Sequence, residues 1–261
     1  MTTPPDDLTE TLSRRLDTRW AGRPLVLKTH TGSTNDDAHA AAMAGAPHGY
    51  TIVADAQSAG RGRHGRLWFS PPGENLYVSV VIRPRLRTTE APLVTLAAGL
   101  AVADAIAPWI SERRVTIKWP NDVRIDGRKV AGVLVEGNIR GEQLAFAVVG
   151  IGINVRGATL PDTLATTATT LRLASGMTVS RSAVLHTLLA ALELRIDSLL
   201  TDGPEPTISA VSARCDTLGT RVRVDGIEGV AERITASGGL LLRRDDGTHT
   251  EVRAGEITTL M

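Results

Sequence analysis

Residues 115–136 read VTIKWPNDVRIDGRKVAGVLVE, and this stretch decides the fold class. Val115–Trp119 reads as a strand. Val123–Ile125 and Lys129–Glu136 read as two more, with Asp126-Gly127 between them. Asp-Gly tolerates the positive φ angles that a tight hairpin turn requires. A hairpin in the middle of the chain breaks strict βαβ alternation. It predicts an α+β architecture with a mixed, largely antiparallel sheet rather than a doubly wound parallel one.

Working outward, Leu25–Thr29, Tyr50–Ala54, Leu76–Ile82 and Leu144–Asn154 read as further strands. Leu8, Leu12 and Leu16 form an i, i+4, i+8 stripe that predicts a short amphipathic helix. Ser33, Thr34 and Asn35 are all good N-cap types, and one of them is expected to cap a helix running to Ala44. Glu90–Ile110 reads as a long buried helix, and Thr159–Thr170 as a weakly patterned Thr-rich segment. Ser180 opens a helix with Val184, Leu188, Leu192, Ile196 and Leu199 on one face, and Gly203-Pro204 ends it. After about Arg214, Val222 and Val224 alternate with Arg221 and Arg223, and Asp225-Gly226, Gly238-Gly239 and Asp246-Gly247 punctuate short strands. That pattern predicts a small β-barrel. The division expected is 1–213 for the larger domain and 214–261 for the barrel.

The 261 residues are 42% hydrophobic and 22% charged, which excludes a disordered chain, a collagen and an integral membrane protein. Aromatics are only 3%, so the core must be built from Ala, Val, Leu and Ile. The formal charge is +1, and from Val211 onward seven Arg face eight acidic residues. A protein living on phosphate-backbone contacts shows a basic excess instead. Cys215 is the single cysteine, so neither an internal disulfide nor a multi-Cys zinc site is open to the chain. The six His are scattered, which predicts no metal site built from protein ligands. The N-terminus carries neither a basic start nor an apolar run, and no apolar stretch reaches the ~20 residues that cross a bilayer. The expected setting is cytoplasmic.

Gly60-Arg61-Gly62-Arg63-His64-Gly65 matches G-x-G-x-x-G. A dinucleotide site needs that motif to open a helix, but Trp68-Phe69-Ser70-Pro71-Pro72 follows. A kinase loop also fails, since no H-R-D or D-F-G occurs. What remains is a loop whose glycines let backbone N–H groups converge on an anion while Arg61, Arg63 and Arg66 add charge. Phosphate, carboxylate or both suit it.

Five motifs occur together. Gly32-Ser33-Thr34-Asn35 resembles the G-S-T-N helix start of the biotin protein ligase family. Gln57 to Trp68 resembles its G-R-G-R-x-G-R-x-W signature. Lys118-Trp119-Pro120-Asn121-Asp122 matches K-W-P-N-D, Lys129 to Glu136 matches K-x-A-G-[IV]-L-x-E, and Gly150-Ile151-Gly152-Ile153-Asn154 matches G-x-G-[IL]-N. The order is the family's, and the resemblance covers nearly the whole chain. It implies the fold shared by biotin ligases and class II aminoacyl-tRNA synthetases, with a C-terminal SH3-like barrel. It implies an AMP- and pyrophosphate-forming reaction: biotin is activated with Mg·ATP to biotinyl-5′-AMP, then transferred to a lysine of a biotin carboxyl carrier domain of acyl-CoA carboxylases.

Carried onto this chain, the resemblance implies Lys129, Arg61 and Asp122 as the catalytic groups. Lys129 would meet the biotin carboxylate and the phosphate, where a fixed cation relieves developing charge. Asp122 stands in a Pro-Asn-Asp turn, where Asp is a common turn former. As a carboxylate it would also accept or orient the proton of the carrier amine. Biotin is expected to meet Ser33, Thr34, Asn35, Gln57, Gly60, Arg61, Gly62, Arg63, Lys129 and Gly132. Gln57 offers both a donor and an acceptor to a ureido ring, and Gly132 admits close approach to its strand. The nucleotide is expected to meet Arg61, Arg63, Arg66, Trp68, Asn121, Lys129 and Asn154. For Arg66, phosphate, pyrophosphate and solvent stay open; for Trp68, adenine stacking and loop anchoring do. His64 departs from the arginine common in relatives, which argues against a required cation there. Mg²⁺ is expected to arrive with ATP and keep several waters.

Two rivals stand beside this reading. A lipoate or octanoate ligase or transferase shares the fold but lacks the Gly-Arg signature. A non-catalytic biotin-binding or regulatory protein would leave that loop and Lys129 without purpose. DNA binding is not expected, because about thirty residues before Gly32 hold one helix and one strand and leave no room for a winged helix-turn-helix. No membrane partner is expected, and the assembly state expected is a monomer or weak homodimer.

Overall fold

The computed structural model describes Leu8, residues 16–110 and residues 115–260. Of the amphipathic helix expected around Leu8, Leu12 and Leu16, only Leu8 and Leu16 fall among the described residues; the rest lies outside them. Seven strands form the main sheet: β1 (Leu25–Thr31), β2 (Thr51–Gln57), β3 (Leu76–Ile82), β4 (Val115–Lys118), β5 (Asp122–Ile125), β6 (Arg128–Arg140) and β7 (Gln143–Ile153). Their order is β1-β2-β3-β7-β6-β5-β4. The β1–β2 pair is parallel and every other pairing is antiparallel, as the hairpin predicts. The β5–β6 turn is the expected one, with Asp126 at φ 50° and Gly127 at φ 77°.

Helices cover both faces: α1 (Thr34–Met43), α2 (Ala91–Ile106), α3 (Leu171–Ser175), α4 (Arg181–Thr201) and α5 (Pro204–Ser212). α1 lies on one face, where Ala38 and Ala42 bury against Ile52, Val81, Phe146 and Val148. α2, α4 and α5 close the other face over the main core of Val, Leu, Ile and Ala. Strand β3 lies mid-sheet and is buried at all seven positions. With its short flanking turns, α2 spans Thr88–Trp109, long and apolar enough by composition to cross a membrane, contrary to the reading of its apolar stretches. It is instead a core helix, buried from Leu93 to Val102 without a gap except at Thr95. Pro204 ends α4 as expected and also opens α5, a helix not anticipated. At the first helical turn Pro's missing N–H costs nothing.

The terminal module is a five-stranded antiparallel sheet: β8 (Arg221–Val224), β9 (Ile227–Ile234), β10 (Leu240–Arg243), β11 (His249–Val252) and β12 (Ile257–Thr259), ordered β11-β10-β9-β8-β12. Its inward residues Val222, Val224, Leu240 and Leu242 join the main core without a break. Trp119 Nε1 donates to Gly238 O at 3.0 Å, and Lys118 Nζ to Ile257 O at 2.8 Å. The module is thereby seated beside the end of the Lys118–Asp122 turn.

Candidate active site

The site is laid out by the two-residue alternation of three neighbouring strands. Ser79 of β3 pairs with Gly150 of β7, which pairs with Leu134 of β6. One row along, Tyr77, Gly152 and Gly132 align, and Asp122 of β5 extends that row. These residues share the α1 face of the sheet. The glycines leave a bare floor, and side chains descend onto it. A Cβ at Gly150 would lie 2.0 Å from Asn35 Oδ1, and one at Gly152 would lie 2.5 Å from Trp68 Cε2. Neither Gly150 nor Gly152 stands out in the sequence as a site residue, although both lie inside the Gly150–Asn154 motif.

Two openings meet over this floor. A small cavity is lined by the α1 start, Gln57, Arg61 and the glycine floor. A larger cleft runs from Trp68 and Asn121 past Asn154 to Gly255, Glu256 and Ile257 of the terminal module. Gly62, Arg63, Trp68, Asn121 and Lys129 line both. All the sequence-predicted biotin and nucleotide residues except Gly60 therefore line one opening or the other. Gly60 acts within the backbone instead. Its carbonyl accepts from Trp68 N–H at 2.8 Å, closing the Gly-Arg loop into a small hairpin with Arg61 opposite Leu67.

At the helix start, Ser33 occupies the N-cap position but its hydroxyl makes no cap bond, so the capping expectation fails there. Thr34 and Asn35 are inside the helix and look across to the sheet. Thr34 N–H donates to Gln57 Oε1 at 2.9 Å, and Gln57 Nε2 donates to Ser70 Oγ at 2.9 Å. Ser79, deeply buried on β3, contacts both Thr34 and Asn35. Sequence reasoning misses Ser79; its one signal is that it is the single polar residue in LYVSVVI.

Each cation of the site has a partner. Arg61 reaches Asp36 at 2.5 Å and Glu136 at 3.0 Å. Arg63 donates to Asn121 Oδ1 at 3.0 Å and to Gly255 O at 3.2 Å. Arg66 pairs with Glu256. Lys129 Nζ lies 2.7 Å from Asp122 Oδ1 and 5.2 Å from the Trp68 ring centre. Burial pushes the Arg63 guanidinium below its ordinary value, an effect opposed by Asp122 and reinforced by Arg66. Burial likewise lowers Lys118, reinforced by Arg124. Trp68 anchors the loop's end by lying on Gly132 and Gly152, with its Nε1 buried and unbonded. Asn154 donates to Thr169 O at 3.1 Å, holding the Thr-rich segment against the cleft. Among the described residues, no group of three or more His, Cys, Asp or Glu side chains gathers to hold a metal.

Residues 28–154 match the biotin/lipoate A/B protein ligase family. The chain is 36% identical over 252 residues to the biotin–[acetyl-CoA-carboxylase] ligase of Mycobacterium tuberculosis, covering 91% of this chain and 90% of that protein. It is 34% identical over 238 residues to the bifunctional ligase/repressor BirA of Bacillus spizizenii, covering 89% and 73%. Among solved structures, the biotin protein ligase of Aquifex aeolicus in complex with biotin and ATP superposes with a TM-score of 0.76 at 29% identity, over 90% of this chain and 98% of that one. With both sequence and fold in agreement over nearly the full length, the chain belongs to the biotin protein ligases of the biotin/lipoate A/B protein ligase family.

Proposed function

We propose that the chain is an ATP-dependent biotin protein ligase working in two steps. The biotin carboxylate attacks the α-phosphorus of ATP, giving biotinyl-5′-AMP and releasing pyrophosphate. The unprotonated amine of a carrier lysine then attacks the acyl carbon and AMP leaves. The observation that carries this reading is that a small polar cavity and a larger cleft meet at Lys129. The smaller cavity, walled by the short polar side chains of the helix start and Gln57, suits the smaller substrate, and the larger cleft suits the nucleotide.

In this reading the polar wall of Ser33, Thr34, Asn35 and Gln57 holds the ureido ring, and the Gly132 floor lies under it. Gly60 and Gly62 shape the loop that carries Arg61 and Arg63 over the bound acyl-adenylate. Arg63, Arg66, Asn121 and Asn154 face the phosphates and nucleoside, with Trp68 between the two substrates. Lys129 and Arg61 offset the charge that builds as two anions are brought together, and preorganised cations do this at no reorganisation cost. Asp122 takes or orients the proton of the carrier amine. Mg²⁺ comes with ATP, keeps part of its water shell, and supplies charge neutralisation at the phosphates.

The macromolecular substrate is the biotin carboxyl carrier domain of an acyl-CoA carboxylase, modified in the cytoplasm, where ATP is abundant. Residues 1–213 form the catalytic domain and 214–261 an SH3-like module that closes the far end of the cleft. The chain acts as a monomer or weak homodimer, without DNA or a membrane. The deciding experiment is mass spectrometry of a carrier domain incubated with this protein, biotin and Mg·ATP. One biotinyl group gained on one lysine, only when both small substrates are present, is expected. No gain, or equal transfer of lipoate or octanoate, overturns the assignment.

A further inference from the structure

Glu136 ends the motif that begins at Lys129 and has no part in the reaction as proposed. Its Oε2 accepts from Asn35 Nδ2 at 2.7 Å and from Arg61 Nη2 at 3.0 Å. Asn35 is 4% exposed and lies across Gly150. Its carboxamide therefore has one place and two orientations, which differ only in which end donates. A carboxylate only accepts, so Glu136, much closer than the Leu134 carbonyl at 3.5 Å, draws the NH₂ end and leaves Oδ1 toward Ser79 Oγ, 2.6 Å away. Ser79 is fully buried and has a single proton to give. Asn35 Oδ1 takes it, having no other donor among the described residues. Ser79 Oγ also lies 2.8 Å from Thr34 Oγ1. With the Ser79 proton committed, the Thr34 hydroxyl must supply the proton of that contact. Gln57 Oε1 keeps the Thr34 backbone N–H at 2.9 Å, and the longer 3.1 Å approach of Thr34 Oγ1 is relinquished. Thr34 Oγ1, on the cavity wall, is left to accept.

We propose that Glu136 is a positioning residue that sets the direction of the chain Thr34–Ser79–Asn35–Glu136, so that the cavity wall at Thr34 accepts hydrogen bonds from an N–H-bearing head group such as a cyclic urea. This rests on the biotin reading and deepens it, since ureido nitrogens are donors. Glu136→Gln keeps the size but can present its amide as well as its carbonyl to Asn35, so the acceptor-only constraint is gone, Asn35 is free to turn over and the wall loses its fixed polarity.

The test is biotin-dependent ATP–pyrophosphate exchange. Glu136→Gln should raise the KM for biotin about tenfold, the scale of losing one well-placed hydrogen bond, with kcat within about twofold. Ser79→Ala should do the same, and the double variant should be no worse than either single, because both break one chain. Losses that multiply, or an unchanged KM in Glu136→Gln, overturn the proposal. Asp36→Asn loosens Arg61 but leaves Asn35 alone, and should keep KM within about twofold; a rise equal to that of Glu136→Gln overturns the proposal by assigning the effect to Arg61. A wild type that binds no biotin defeats the functional reading by itself. In that case, or if Glu136→Gln does not fold, nuclear Overhauser contacts of the wild-type Asn35 NH₂ protons decide. Contacts to the Glu136 side chain uphold the proposal, and contacts to the Ser79 β-protons overturn it.

Discussion

Lys129 Nζ stands 2.7 Å from Asp122 Oδ1 across the adjoining strands β5 and β6. Both side chains are partly buried, so the ion pair is shielded from solvent. The ion pair fixes the cation and the acid side by side. The proposed adenylation calls on the first residue and the proposed transfer on the second.

Lys129→Ala should cut biotin-dependent pyrophosphate exchange by about 10²–10³-fold, the cost of removing one preorganised charge partner from a developing charge. Lys129→Arg should rescue little, since the bulkier planar guanidinium does not fit beside Trp68 and Gly132 as a compact ammonium does. Circular dichroism should show the fold intact. Near-normal exchange in Lys129→Ala would remove this lysine from the chemistry.

Asp122→Asn separates the steps. Adenylate formation should survive within about tenfold, while single-turnover transfer from preformed biotinyl-adenylate to a carrier domain should slow by about 10²-fold, the usual contribution of a positioned general base. The deficit should shrink as pH rises and more carrier amine is unprotonated. Equal slowing of both steps would make Asp122 merely a partner of Lys129.

Gly150→Ala places a methyl group 2.0 Å from Asn35 Oδ1, a contact that cannot be tolerated without moving the Asn35 side chain. Overpacking of this kind costs about 1–3 kcal/mol. Asn35 is tied to Ser79 and Glu136, so the strain should fall on the small cavity. Calorimetric titration is expected to show weakened biotin binding with ATP binding less affected. Unchanged biotin affinity would mean that Asn35 does not shape the cavity.

Glu193 on α4 gives a pH prediction away from the site. Burial alone would raise its pKa, but backbone N–H groups of Arg19, Trp20 and Ala21, with the Arg19 side chain, together bring it below the ordinary carboxylate value. The backbone bonds are 2.7–3.0 Å long. A depressed folded-state pKa means the stabilisation is complete above the unfolded carboxylate range and is lost as pH falls through the lower folded value. Glu193→Gln should therefore cost about 1–3 kcal/mol near neutrality. The gap between wild type and variant in urea melts should close as the solution is acidified below the ordinary carboxylate range. A gap independent of pH would show that the charge plays no part.

Features that depend on near neighbours along the chain are legible in the order of residues. Asp126-Gly127 dictates the β5–β6 hairpin, because two adjacent residues tolerant of positive φ select that turn. Alternation at Arg221–Val224 marks a half-buried strand, and the Gly-Arg signature with Lys129 points to the chemistry and to most of the lining residues. Features that depend on strand register and on packing between distant segments emerge only with the fold. Ser79, Gly150 and Leu134 become one row only when β3, β7 and β6 are paired in a particular register. Glu256 reaches Arg66, and Gly255 reaches Arg63, only once the terminal module is seated against Trp119 and Lys118. The loop arginines look like mutually repelling charges in the sequence; in the fold Asp36, Glu136 and Glu256 neutralise Arg61 and Arg66, and Asn121 and the Gly255 carbonyl bond Arg63. Local backbone preferences act over a few residues and can be read in order, whereas a side chain's partner is set by where the folded sheet brings it.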